Sequence, residues 1–138
     1  IKHFISAFGE HVIAKEVEEA MQIATEETGT RISEFTVAPQ ITPDNDELPY
    51  HEWFIEFEKE PENMKQFQSL LDNAIQQQNS YYLDLIEGKI LQQLKITPMS
   101  ENGFHQYMKS IGKLGGQNKL PRLSNDRKIA EQLEKLKK

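Results

Sequence analysis

The chain contains no cysteine, which excludes a disulfide framework, a thiolate metal site and a cysteine nucleophile, and fits a reducing compartment. No apolar run approaches the roughly 20 residues needed to span a bilayer, and nothing resembles a secretory leader. A cytoplasmic protein without a membrane partner is expected. Positive charge is in short supply: 16 Lys and Arg against 22 Asp and Glu leave a net charge of −6. With no basic face visible, a nucleic-acid partner is not expected. The basic run Lys135, Lys137 and Lys138 reads as the dipole-favourable end of a terminal helix. His3, His11, His51 and His105 share no helical or hairpin ligand spacing, so no metal site is expected. They read as surface or strand-packing residues. Internal repeats and low-complexity tracts are also missing.

What is present is one domain's worth of chain, 138 residues, long enough to bury a sizeable core. It opens without methionine, directly on an apolar pattern, which suggests a piece of a longer protein. Ile1 to Phe8 suits a strand, Gly9 a turn, and His11 to Ile13 a second short strand. From Ala14 the period changes, and Val17, Ala20, Met21 and Ala24 mark the stripe of a helix that Gly29 ends. Arg31 to Ala38 and Tyr50 to Glu58 read as strands. The second sets Trp53, Ile55 and Phe57 on a core face and Glu52, Glu56 and Glu58 on a solvated one. Between them, Pro39 to Pro49 reads as an exposed loop. Pro61 fits the first turn of a helix with Met64, Phe67, Leu71, Ala74 and Ile75 inward. Ile90 to Ile96 alternates as a strand, Phe104, Tyr107, Met108 and Ile111 make a short helix, and Ser124 or Asn125 caps a last helix carrying Ile129, Leu133 and Leu136. The order β-β-α-β-β-α-β-α-α implies an α+β fold, a small mixed or antiparallel sheet with helices mainly on one face.

Between the last two helices lies Gly115-Gly116-Gln117-Asn118-Lys119-Leu120-Pro121-Arg122. Two glycines free the backbone before Lys119 and a proline fixes it afterwards, a way to hold one long cation in place. Such a cation suits a substrate bearing carboxylate or phosphate charge. Arg122 could brace Lys119, bind phosphate, or stabilise the next helix through an acid such as Asp126.

The two ends together carry a resemblance. Ile1-Lys2-His3-Phe4-Ile5-Ser6-Ala7-Phe8-Gly9-Glu10-His11-Val12-Ile13-Ala14-Lys15-Glu16-Val17-Glu18 resembles the hinge of adenylate-forming enzymes: a hinge Asp or Lys, an apolar strand, a turn glycine, a second short strand and a Glu-apolar-Glu helix start. Further on, Asn79-Ser80-Tyr81-Tyr82, Gly88-Lys89, Leu94-Lys95-Ile96, Gly103-Phe104 and Gln117-Asn118-Lys119-Leu120-Pro121-Arg122 are similar to the C-terminal domain of the auxin-responsive (Gretchen Hagen) acyl-acid amido synthetases. Plant members read close to Gln-Tyr-Lys-x-Pro-Arg at the last motif; here Asn118 replaces the tyrosine. Ser6 and Phe8 stand where many superfamily members carry Lys and Arg.

The resemblance implies that residues 1–138 form the lid of an ATP-dependent ligase that makes an acyl-adenylate from a carboxylic acid and passes the acyl group to an amine, commonly an amino acid's. It assigns Lys119 as the catalytic lysine meeting the acid carboxylate and the α-phosphate, Lys119 and Arg122 as nucleotide- or phosphate-binding residues, Lys2 as the hinge, and Gly9 and Gln117 as loop support. ATP with Mg would be bound mainly by the protein's own N-terminal domain, which lies outside this chain; no Ser/Thr/Gly-rich phosphate loop is present. The lid alone is then expected to be inactive. A second reading, a stand-alone α+β interaction module, makes no use of Lys119.

Overall fold

A long hairpin with ten residues in each arm dominates the architecture: Arg31–Gln40 pairs antiparallel with Tyr50–Lys59 across nine Cα partner positions. The computed structural model describes residues 4–113 and 119–138. Numbered in chain order, β1 (Phe4–Ile5) and β2 (Val12–Ile13) form a small hairpin that leads into α1 (Ala14–Thr28). The long strands are β3 (Arg31–Gln40) and β4 (Tyr50–Lys59), followed by α2 (Met64–Gln78) and α3 (Ser80–Glu87). Then come β5 (Lys95–Pro98), α4 (Gly103–Ser110), α5 (Lys128–Leu133) and a 3-10 turn, Glu134–Leu136. The main sheet has order β3-β4-β5, with β5 parallel to β4, so it is mixed.

Alternation along the strands creates two apolar layers. Phe35, Val37, Trp53 and Ile55 face α1 and α2, which contribute Val17, Ala20, Met21, Phe67, Leu71 and Ile75. The rings of Phe35 and Trp53 stack at 5.6 Å. Ala38 and Phe54 point the other way, into a smaller cluster with Met99, Phe104, Tyr107, Ala130 and Leu133 from the short helices. The fold is the expected α+β, with its two longest helices on one face.

The second layer corrects one expectation. Glu52 and Glu56 share the Phe54 face, and because α4 and α5 cover it, both acids are buried rather than solvated. Burial is tolerable because each is satisfied. Glu52 accepts from Arg127 Nη1 at 2.8 Å and from the Thr97 hydroxyl, and Glu56 accepts from the Asn102 amide at 2.9 Å. Glu58 alone stays open, facing Arg31 at 3.9 Å.

Other boundaries move for identifiable reasons. Asn63, not Pro61, starts α2, its side chain accepting from the Gln66 amide at 3.0 Å. Helix α3 has no counterpart in the sequence pattern; Asn79 caps it by accepting from the Tyr82 amide at 2.9 Å, and Tyr82 is its one buried residue. The strand expected over residues 90–96 contracts to β5, because upstream amides bond elsewhere: Gln92 to the Pro49 carbonyl and Leu94 to the Asp72 carboxylate. Conversely β3 runs through Pro39 to Gln40, shortening the loop. Ser124 and Asn125 do not cap α5: the helix starts further on, with Arg127 at its N-cap position, and the Asn125 side-chain oxygen accepts from the Ser6 amide instead. Asp126 instead accepts from the Lys128 amide at 3.0 Å.

Candidate functional site

Lys119 is exposed at the rim of a surface cavity of about 560 Å³ whose wall includes Glu34, Glu56, Phe104, Met108 and Arg122. It forms no ion pair among the described residues. The chain just beyond it is fixed. The Pro121 carbonyl accepts from Thr36 Oγ1 at 2.7 Å, the Arg122 carbonyl from the Val37 amide at 3.0 Å, and the Ser124 amide donates to the Val37 carbonyl at 2.9 Å. Leu123 between them is fully buried and bridges Val37 in parallel. A rigid β3 edge therefore sets where the lysine emerges.

Arg122 turns inward. Its Nη1 donates to Glu34 Oε1 and to the Phe35 carbonyl, both at 2.5 Å, its Nε to Glu18 Oε2 at 3.2 Å, and its guanidinium lies over the Phe35 ring at 4.1 Å. Asp126, the partner suggested by sequence, is not the one it takes. Sequence reasoning misses Glu18 and Glu34 as site residues, because no spacing joins positions so far apart.

The β1–β2 hairpin is anchored just as firmly. Gly9 sits at φ +89°, a left-handed turn that glycine adopts without strain. Beside it, Glu10 is fully buried, with Oε1 accepting from the Phe8 amide at 2.8 Å and Oε2 lying 2.7 Å from His51 Nε2 on β4. Burial opposes the charge on Glu10, but the hydrogen bond and charge of His51, together with nearby backbone amides, hold its carboxyl below the usual range. Asn79 Nδ2 donates to the Glu10 carbonyl at 3.0 Å and to Glu16 Oε1 at 3.1 Å. His51 packs against the Tyr82 ring. Burial, with the Asp72 carboxylate beside it, pushes the Tyr82 hydroxyl well above its ordinary value. A signal for His51 exists in the sequence: it falls in phase with Trp53 and Ile55 on the core face of β4. Lys2 and Gln117 lie outside the described residues.

The sequence pattern of the GH3 family C-terminal domain matches residues 15–128. The chain belongs to the GH3 family. Two solved structures share its fold. One, "GH3.15 acyl acid amido synthetase", has a TM-score of 0.78 at 16% identity, covering 99% of this chain and 27% of that one. The other, "AtGH3.15 acyl acid amido synthetase in complex with 2,4-DB", has a TM-score of 0.75 at 14% identity, covering 99% and 26%. This GH3 domain thus spans about a quarter of the length of those chains. No curated protein sequence matches it. Among the described residues of the GH3 domain, no helix is long and apolar enough to cross a membrane.

Proposed function

We propose that this GH3 domain is the mobile lid of a cytoplasmic ATP-dependent acyl-acid amido synthetase and that Lys119 is its catalytic lysine. The observation that carries the reading is an exposed ammonium without an ion-pair partner among the described residues, two positions before a segment locked to β3. Attack of a carboxylate on the α-phosphorus joins two anions, so a preorganised cation near both oxygens lowers their repulsion and stabilises charge gathering in the transition state. Presenting that cation from a separate domain lets the same face withdraw and admit the amine.

On this reading the companion N-terminal domain supplies the adenine site, the Mg ligands and most of the acid and amine pockets. The lid's described residues fit the role that is left, since Lys119 can meet a carboxylate or phosphate oxygen at the open rim of the cavity. The lid alone does not turn over.

Acid-dependent ATP–pyrophosphate exchange on the parent-length protein, screened across aryl and alkyl carboxylates, tests the proposal. Exchange that requires an acid and falls on the order of 10²-fold or more in folded Lys119→Ala supports it. Unchanged exchange in that variant removes Lys119 from the mechanism, and none with any acid favours the interaction module.

A further inference from the structure

We infer that Arg122 is a positioning residue that holds the Lys119 segment on β3, rather than a ligand for phosphate. The inference rests on the reading of Lys119 given above. Local charge is the first argument. One guanidinium faces two carboxylates, Glu18 and Glu34, so that three-residue group carries net negative charge, while the adjoining cavity wall sets Glu56 against Lys113 and Lys119. An incoming phosphate would have to displace a charge-assisted bond at 2.5 Å and then sit beside the freed Glu34 carboxylate.

Geometry is the second. The β3 ladder is irregular between Ile32 and Glu34, a bulge of the kind that re-aims a side chain. There Glu34 Oε1 accepts both the Phe35 amide at 2.9 Å and Arg122 Nη1. Arg122 also returns a bond to the Phe35 carbonyl and covers the Phe35 ring. Its own carbonyl accepts from the Val37 amide. Side chain and backbone of one residue therefore grip the strand from Glu34 to Val37, and Lys119 stands three residues upstream of that grip. Glu18 extends the hold to α1.

Parent-length protein carrying Arg122→Gln, Glu34→Gln, Lys119→Ala or both Lys119→Ala and Arg122→Gln separates the two roles. Amide hydrogen exchange reads the brace, and the acid-dependent exchange reaction reads its consequence. The expected result is exchange about tenfold faster or more at the Val37 and Ser124 amides in Arg122→Gln and in Glu34→Gln. It is accompanied by lowered kcat with an unchanged KM for ATP, and by no further loss when Arg122→Gln is added to Lys119→Ala. A raised KM for ATP with Val37 exchange unaltered would overturn the inference, as would a loss that adds to that of Lys119→Ala. If Lys119→Ala leaves turnover untouched, the lid-lysine reading falls by itself. The brace is then decided by amide exchange alone, with unaltered protection at Val37 and Ser124 counting against it.

Discussion

Glu10 and His51 lie 41 positions apart in sequence, yet their side chains meet at 2.7 Å with almost no access to solvent. The pair ties the β1–β2 hairpin to the central strand of the main sheet. A hairpin of two-residue strands has little stability of its own, so its orientation depends on this contact and on Asn79.

The first prediction concerns acid. The folded-state pKa of Glu10 lies below the ordinary value of 4.5. Its contribution to stability is therefore complete above that value and is lost as pH falls through the lower folded value. Glu10→Gln should be destabilised by about 1–3 kcal/mol near neutral pH, and the gap to the parent sequence should narrow below about pH 4.5. Urea unfolding of both proteins at several pH values measures it; a gap independent of pH would refute the ionised pairing.

Asn79 should behave as a cap with a second duty. Asn79→Ala removes the acceptor for the Tyr82 amide and the donor to Glu10 and Glu16. A loss of about 1–2 kcal/mol is expected, with faster amide exchange at the start of α3. The β1–β2 hairpin should also lose protection, which an ordinary cap deletion would leave alone.

Two ion pairs should differ sharply. Arg127 bonds Glu52 at 2.8 Å, with side-chain exposures of 17% and 9%, whereas Arg31 faces Glu58 at 3.9 Å with 71% and 55%. Arg127→Ala strands a buried carboxylate and should cost about 1–3 kcal/mol. Arg31→Ala should fall within about 0.5 kcal/mol of the parent. Thermal melts of both variants at two salt concentrations provide the check.

In the larger core, Trp53→Ala should cost about 3–5 kcal/mol, since it leaves a void against Phe35. That is a large share of the about 5–15 kcal/mol typical of a domain, and a urea midpoint lowered at unchanged slope is expected. Tyr81→Ala, at a side chain 65% exposed, should stay within about 0.5 kcal/mol.

Parts of this fold that follow a single period are readable from sequence. Val17, Ala20, Met21 and Ala24 specify α1, and Phe67, Leu71 and Ile75 specify α2, because each stripe meets the sheet directly. Helix α3 escapes because it buries only Tyr82, too little to imprint a stripe. The acids of β4 mislead because alternation tells which residues share a face, not whether a second layer covers it; Phe54 between Glu52 and Glu56 is the hint. At the site, Lys119 stands out through its glycines and proline, which act locally. The partners of Arg122 and Glu10 do not, since tertiary pairing across 88 and 41 positions leaves no periodic trace.

The parallel bridge between Val37 and Leu123 has a consequence for how the domain behaves in a concentrated solution. An uncovered outer strand offers a row of backbone groups on which another copy can template itself. Here the outer rim of β3 is filled at its centre by residues 122–124 and interrupted by Pro39, while β5 ends in Pro98, whose carbonyl accepts from the Lys138 amide. The outer rim of β3 is thus occupied by the chain's own later residues, and the C-terminal end of β5 is met by them. The domain is thereby guarded against sticking to its own kind.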